Sequence, residues 1–145
     1  MSMEFLIDRM VLLKRSRDLF CRQVLEQYHL RASDMDVLLF LAGRGRACTA
    51  KEICEAYMAP KSLVSAAVDA LSGRNLIDRA PHPQDKRSVL ISLRPEADEI
   101  LSALNARLEE FAARLRDGIS ADDLAVVETV FDRLHRNMNA LGSAE

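Results

Sequence analysis

A short charged segment lies between two predicted strands in the middle of the chain. Its tip, residues 84–87, has the sequence QDKR and follows two prolines, Pro81 and Pro83. Cationic side chains on a protruding loop can contact phosphate oxygens or the edge of a DNA groove. Residues 60–94 carry six Lys/Arg and three Asp/Glu, whereas residues 95–145 carry five and eleven. The middle of the chain is therefore locally basic, although the net charge is −2.

Apolar residues recur at helical spacing over most of the chain. The first predicted helix runs without a break from Glu4 to Tyr28. Ser33 is expected to cap a second helix, with Asp36 bonding back to the cap, and Gly43 and Gly45 are expected to end it. This pattern predicts a mainly helical protein.

Two more helices and a hairpin follow. Thr49 and Glu52 have the spacing of a capping box, which predicts a short third helix, and Pro60 marks the break before the fourth. The apolar period then changes to two over residues 76–79 and 88–93, which predicts two strands joined by the charged tip. The predicted buried face of the fourth helix contains Val64, Val68 and Leu71.

The last third of the chain is again helical. Pro95 is expected to start a fifth helix that ends near Asp117, and Ser120 with Asp123 should cap a sixth. We therefore predict a winged helix-turn-helix domain over residues 31–94. Residues 1–30 and 95–145 would form a helical dimerisation region, because their long apolar stripes exceed what one small domain can cover.

The order of these elements favours DNA binding. In a winged helix-turn-helix domain the second helix of the pair enters the major groove, and the hairpin extends toward the neighbouring minor groove. The cations of this region would then contact phosphates or groove edges. They are Lys61, Arg74, Lys86 and Arg87.

Residues 62–93 resemble the MarR (multiple antibiotic resistance regulator) family of bacterial transcription factors. The resemblance rests on the V-S-x-x-V-D-x-L pattern of residues 64–71, the RNLIDR sequence of residues 74–79 and the D-x-R-S pattern of residues 85–88. It implies a homodimer whose first, fifth and sixth helices interlock and whose two winged domains bind a pseudo-palindromic operator. It also implies repression that a small aromatic or phenolic effector relieves.

The resemblance assigns roles to individual residues. Arg87 would enter the minor groove, and Asp85 would hold it by a charge-assisted hydrogen bond. Ser62, Ser65 and Ala66 would face the major groove. Pro60, Leu63 and Arg94 depart from the family pattern, but none of them lies in the wing.

Two other functions stay open at this point. Cys21, on the first helix, could be a redox sensor that releases DNA on oxidation, with Arg17 and Arg22 nearby in sequence. Alternatively, the winged fold could be a protein-interaction module that does not bind DNA, in line with a pI of about 5.9.

Other classes are not expected. The chain has no Gly-rich phosphate loop, G-x-S-x-G or H-E-x-x-H motif, so we do not expect an enzyme. Its three cysteines form no C-x-x-C pair and its three histidines lie far apart, so no metal or cofactor is expected. No apolar run reaches the roughly 18 residues of a membrane span, and we expect a cytoplasmic protein.

Overall fold

Helices account for most of residues 1–142, the part of the chain that the computed structural model describes. Three short strands form one antiparallel sheet in the order β1-β3-β2. The elements, in chain order, are α1 (Met3–Phe20), α2 (Arg22–Gln27), α3 (Ala32–Arg44), β1 (Cys48–Thr49), α4 (Ala50–Tyr57), α5 (Lys61–Gly73), β2 (Ile77–Pro81), β3 (Val89–Leu93), α6 (Asp98–Leu115) and α7 (Ala121–Gly142). The predicted fold class, mainly α with a small β-hairpin, is confirmed.

The single helix predicted from Glu4 to Tyr28 is in fact two. α1 ends at Phe20, and α2 begins after Cys21, whose backbone dihedrals are φ −82° and ψ −5°. α1 buries no residue, whereas Val24 and Leu25 of α2 are buried in the core. Neither glycine nor proline lies at the break, so the local sequence does not indicate it.

The cap of α3 also differs from the prediction. The carboxylate that reaches back is that of Asp34, which accepts a hydrogen bond from the backbone N–H of Arg31 at 2.8 Å. Ser33 lies inside the first turn. Asp36 is buried and binds two cations of α1 instead, Arg17 at 2.6 Å and Lys14 at 3.2 Å. Asp36, the predicted capping residue, therefore forms ion pairs with α1 and does not cap α3.

The remaining caps agree with the sequence, except that Gly43, which was expected to end α3 with Gly45, lies inside the helix. Thr49 caps α4, with its hydroxyl accepting from the N–H of Glu52 and the Glu52 carboxylate accepting from the N–H of Thr49. Gly45 ends α3 in a left-handed conformation at φ 64°, which glycine adopts without steric cost. The Ser120 hydroxyl accepts from the N–H of Asp123 at 3.1 Å at the start of α7.

The core of the winged region lies between α3, α4, α5 and the sheet. Leu38, Leu41, Ile53, Leu71 and Ile91 are among its fully buried side chains. Burying one such side chain contributes about 1.5–3 kcal/mol of transfer free energy. This core holds α5 against the hairpin.

The sheet ties the helix-turn-helix to the hairpin. Ile91 in the central strand pairs with Arg79 of β2 on one side and with Cys48 of β1 on the other. The prediction contained only the two hairpin strands, because a two-residue strand has no measurable period. β1 places the start of α4 directly beside the hairpin.

The chain divides into two compact units, Met1–Phe111 and Ala112–Glu145. α7, in the second unit, buries no residue, and its apolar side chains are exposed or half-buried. The predicted division into a winged domain and a helical dimerisation region stays a prediction. Among the described helices, none is both long enough and apolar enough to cross a membrane.

Candidate nucleic-acid interface

α5 presents a polar face opposite its buried face. Pro60 precedes the first turn, where its fixed φ suits the entry to a helix and its missing N–H costs nothing. Val64, Ala67, Val68 and Leu71 pack into the core. The side chains left exposed are those of Lys61, Ser62, Leu63, Ser65, Ala66, Asp69 and Ala70.

The tip of the hairpin is closed by its own hydrogen bonds. The Asp85 carboxylate accepts from the backbone N–H of Arg87 at 2.9 Å and from the hydroxyl of Ser88 at 2.8 Å. These two hydrogen bonds lower the pKa of Asp85 below its usual value. The N–H of His82 donates to the carbonyl of Ser88 at 3.1 Å across the base of the loop. The loop is therefore shaped before any ligand arrives.

Asp85 does not act as predicted in one respect. Its contact with Arg87 is to the backbone N–H, not to the guanidinium. The carboxylate therefore orients the Arg87 backbone and leaves the exposed side chain able to reach a ligand. The two-residue spacing from Asp85 to Arg87 suits a loop hydrogen bond of this kind, because short acidic side chains bond to backbone N–H groups two or three residues ahead.

A cleft of about 330 Å³ lies between α5 and the hairpin. It brings together Lys61 and Ser65 from α5 and Arg87 from the wing. Lys86 lines a neighbouring shallow cleft on the hairpin. The arrangement offers cations on both sides of a groove-shaped surface, which suits a polyanion.

Not all the predicted residues share this cleft. Ser62 and Ala66 are exposed on α5 but do not line it. Arg74 lies just past the opposite end of α5, about 20 Å along the helix axis from Lys61. Its guanidinium donates to the carbonyl of His29 at 3.2 Å. Arg74 thus has a contact within the protein that the sequence did not predict.

Comparison with known proteins agrees with this geometry. Residues 30–88 match the sequence model of the MarR family. This segment of the chain is similar to the MarR family. MarR-family members are transcriptional regulators, so residues 30–88 resemble part of a class of regulators.

Related proteins cover most of this chain. An uncharacterized HTH-type transcriptional regulator of Bacillus subtilis, YsmB, is 23% identical over 117 residues, which are 81% of this chain and 80% of the relative. A crystal structure of a MarR regulator from Methanosarcina mazei has a TM-score of 0.80 at 14% identity and covers 94% of this chain and 99% of its own. These identities establish the shared fold.

A solved structure with a similar fold contains operator DNA. A mutant MarR from E. coli complexed with operator DNA has a TM-score of 0.70 and 19% identity, with 88% of this chain and 92% of that chain covered. The same fold therefore binds DNA in at least one other protein.

Two of the cations that line the cleft were not predicted from the sequence. Lys51, in the first turn of α4, and Arg79, on β2, both line the cleft. A cation in the first turn of a helix is unfavourable to the helix dipole, which prefers an acid there, and this could have marked Lys51. Arg79 forms an ion pair with Asp69 across the cleft, a contact between residues ten apart that no local pattern predicts.

Two of the three cysteines are buried in the core. Cys21 is fully buried, and its burial raises the pKa of the thiol although Arg17 and Arg107 act to lower it. Cys48 is also buried, and burial likewise raises its pKa. Because the thiolate is the reactive form, both observations argue against a sensor role for these residues. Within residues 1–142, no group of three or more His, Cys, Asp or Glu residues could hold a metal ion.

Proposed function

We propose that the protein is a homodimeric transcriptional repressor that binds a pseudo-palindromic DNA operator. One observation carries the proposal: Lys51 of α4, Lys61 of α5 and Arg87 of the wing all line one cleft. α5 would enter the major groove and the wing the adjacent minor groove. This function implies a location in the bacterial cytoplasm, where operator DNA is found.

We propose that the exposed residues of the interface contact different parts of the DNA. Arg87 would enter the minor groove, while Lys86, Lys61 and Arg74 would contact phosphates. Ser62, Ser65 and Ala66 would face base edges in the major groove. With side chains this short, DNA shape and bridging waters would supply much of the specificity. Asp85 would contribute by shaping the wing.

The exposed apolar surface supports the homodimer. Phe5, Ile7, Val11 and Leu12 of α1 are exposed to solvent. Large exposed apolar side chains on one helix often mark an interaction surface, and a second copy would cover them. In a two-fold dimer the two copies of α5 would lie one DNA turn apart, about 34 Å, or a multiple of it.

A groove formed by α1, α2 and the start of α3 supports the effector proposal. It has a volume of about 430 Å³, and its walls include the apolar residues Val11 and Leu19 and the cations Arg15 and Arg22. The one acid among the described residues of its lining, Asp18, is paired with Lys14 and Arg17. An apolar floor with a net positive lining suits a small aromatic or phenolic anion. We propose that such an anion binds here and releases the DNA.

Salt-dependent DNA binding tests the main proposal. The protein is titrated with the intergenic DNA upstream of its own gene at several salt concentrations. Specific binding that weakens steeply with salt is expected, because displaced counterions set the slope. Arg87→Ala should lose about tenfold in affinity and flatten the slope by about one unit.

Arg136→Ala is the matched control, because it removes the same charge from an exposed position on α7. It should bind as the wild type does. Equal binding by the wild type and Arg87→Ala at every salt concentration would overturn the role of the wing. Absence of specific binding by the wild type would favour the protein-interaction module instead.

A further inference from the structure

An ion pair lies inside the cleft where DNA is proposed to bind. The carboxylate of Asp69, on α5, accepts a hydrogen bond from the guanidinium of Arg79, on β2. The side chains are 67% and 38% exposed, respectively. Asp69 follows Lys61 and Ser65 at steps of four residues, so the three share one stripe of the helix. It is the one carboxylate among the described residues that line the cleft.

Folding stability does not explain this acid. An exposed ion pair contributes little to stability, because water screens the attraction and holding two side chains costs entropy. In a cleft that faces a polyanion, a carboxylate also repels phosphates. A carboxylate therefore weakens any sequence-independent contact with DNA, and its presence on α5 requires a more specific role.

A carboxylate accepts hydrogen bonds and donates none, which limits its partners in the major groove. Cytosine presents an N4 amine with no acceptor of its own beside it. Guanine presents two acceptors, O6 and N7, which repel a carboxylate. Adenine presents an amine next to N7, a pair that an amide side chain matches better. Cytosine is thus the base that an aspartate on this face would select.

We propose that Asp69 is a specificity-determining residue that accepts a hydrogen bond from the N4 amine of a cytosine in each operator half-site. Arg79 is its positioning residue: the planar guanidinium holds one carboxylate oxygen. The place of Arg79 is itself set by the sheet, in which it pairs with Ile91. The inference rests on the proposed function, because it requires operator DNA.

Selection from a randomised double-stranded DNA library tests the inference. The wild type should enrich a cytosine at one position of each half-site and bind it about tenfold more tightly than other bases there. Asp69→Asn should lose this preference and accept adenine at the same position, because an amide can both donate and accept. Arg79→Lys keeps the charge but lacks the planar fork, so it should weaken the preference at that position alone.

Glu26→Gln, which removes a carboxylate from an exposed position on α2, controls for net charge and should keep the wild-type preference. If Asp69→Asn enriches the same sequences as the wild type, or changes affinity equally for all bases, Asp69 does not determine specificity. If the wild type enriches no sequence, the proposed function fails and this inference fails with it. Circular dichroism of each variant establishes that the fold is retained.

Discussion

α5 and α7 both have apolar residues at helical spacing, but only α5 buries them within the single chain. α5 has 13 residues and buries Val64, Ala67, Val68 and Leu71, while α7 has 22 residues and buries none. Helical periodicity therefore predicts which face of a helix is apolar but not what covers that face. In α5 the cover is the rest of the winged region. In α7 we propose that it is a second copy of the chain.

The spacing along α7 strengthens this contrast. Its apolar residues follow alternating steps of three and four, the repeat of a coiled-coil seam. The positions are Leu124, Val127, Phe131, Leu134, Met138 and Leu141. Leu124 and Leu134 are half-buried and the other four are exposed. These apolar side chains form a stripe that could pack against the matching stripe of another helix.

Truncating the buried face of α5 should have the largest effect. Leu71 is fully buried, so Leu71→Ala should lower the free energy of unfolding by about 2–5 kcal/mol through lost burial and the cavity left behind. Urea denaturation measures the loss. Leu63→Ala, on the same helix at a position 45% exposed, should cost less than about 1 kcal/mol. Equal losses would contradict the division of α5 into a buried and an exposed face.

A charge placed on the apolar seam of α7 should weaken the dimer and not the fold of the single chain. Phe131 is 48% exposed in the single chain, and Phe131→Asp should dissociate the dimer by putting a carboxylate in its interface. Operator affinity should fall about 100-fold, because two linked half-sites bind far more tightly than one. Sedimentation and DNA titration measure the two effects.

The control for this variant is Thr129→Asp, which puts the same charge on the opposite side of α7. It should remain dimeric and bind the operator as the wild type does. A dimer that Phe131→Asp leaves intact would show that α7 does not pair through this seam, and the contrast between the two helices would need another explanation.

A smaller effect is expected for Glu52 in the winged region, whose contribution to the free energy of unfolding should depend on pH. Hydrogen bonds from the Arg46 guanidinium and the N–H of Thr49 lower the pKa of Glu52 from 4.5 to about 2. Because the folded pKa lies below the unfolded one, this stabilisation is present above pH 4.5 and is lost as the pH falls toward 2. Glu52→Gln should therefore cost about 0.5 kcal/mol at pH 7 and nothing near pH 2.

Chemical denaturation at several pH values measures this difference. Glu55→Gln, on the same helix, is the matched control and should change the free energy of unfolding less, because its partner Lys51 is 3.8 Å away. A pH-independent difference for Glu52→Gln would mean that the charge of Glu52 does not stabilise the cap of α4.

Local patterns in the sequence predicted most of the fold. The capping box of Thr49 and Glu52 was found correctly because both partners lie within one helical turn. The hairpin was found because its period differs from that of the helices on either side. The cap of α3 was predicted wrongly, since the partners of Asp36 lie on α1 at sequence separations of 19 and 22 residues. Contacts between residues so far apart in the sequence produce no local periodic pattern, so the sequence does not reveal them.

The candidate site follows the same rule. Lys61, Ser65 and Arg87 were predicted, and the structure brings them to one cleft. Arg79 was missed, since its role depends on an ion pair with Asp69 that forms only once β2 packs beside α5. Arg74 was predicted from its charge and position in sequence, but its bond to the His29 carbonyl depends on the chain before α3.

Thr49 belongs to two elements at once. It ends β1, where it pairs with Leu90 of the central strand, and it caps α4. Thr49 therefore links the helix pair directly to the sheet of the hairpin, in addition to the packing of the core. If the domain binds DNA as proposed, the spacing between α5 and the wing is fixed by the protein. An operator whose grooves do not match this spacing would then have to bend or twist. Base pairs that the protein never touches would then influence affinity through the stiffness of the duplex.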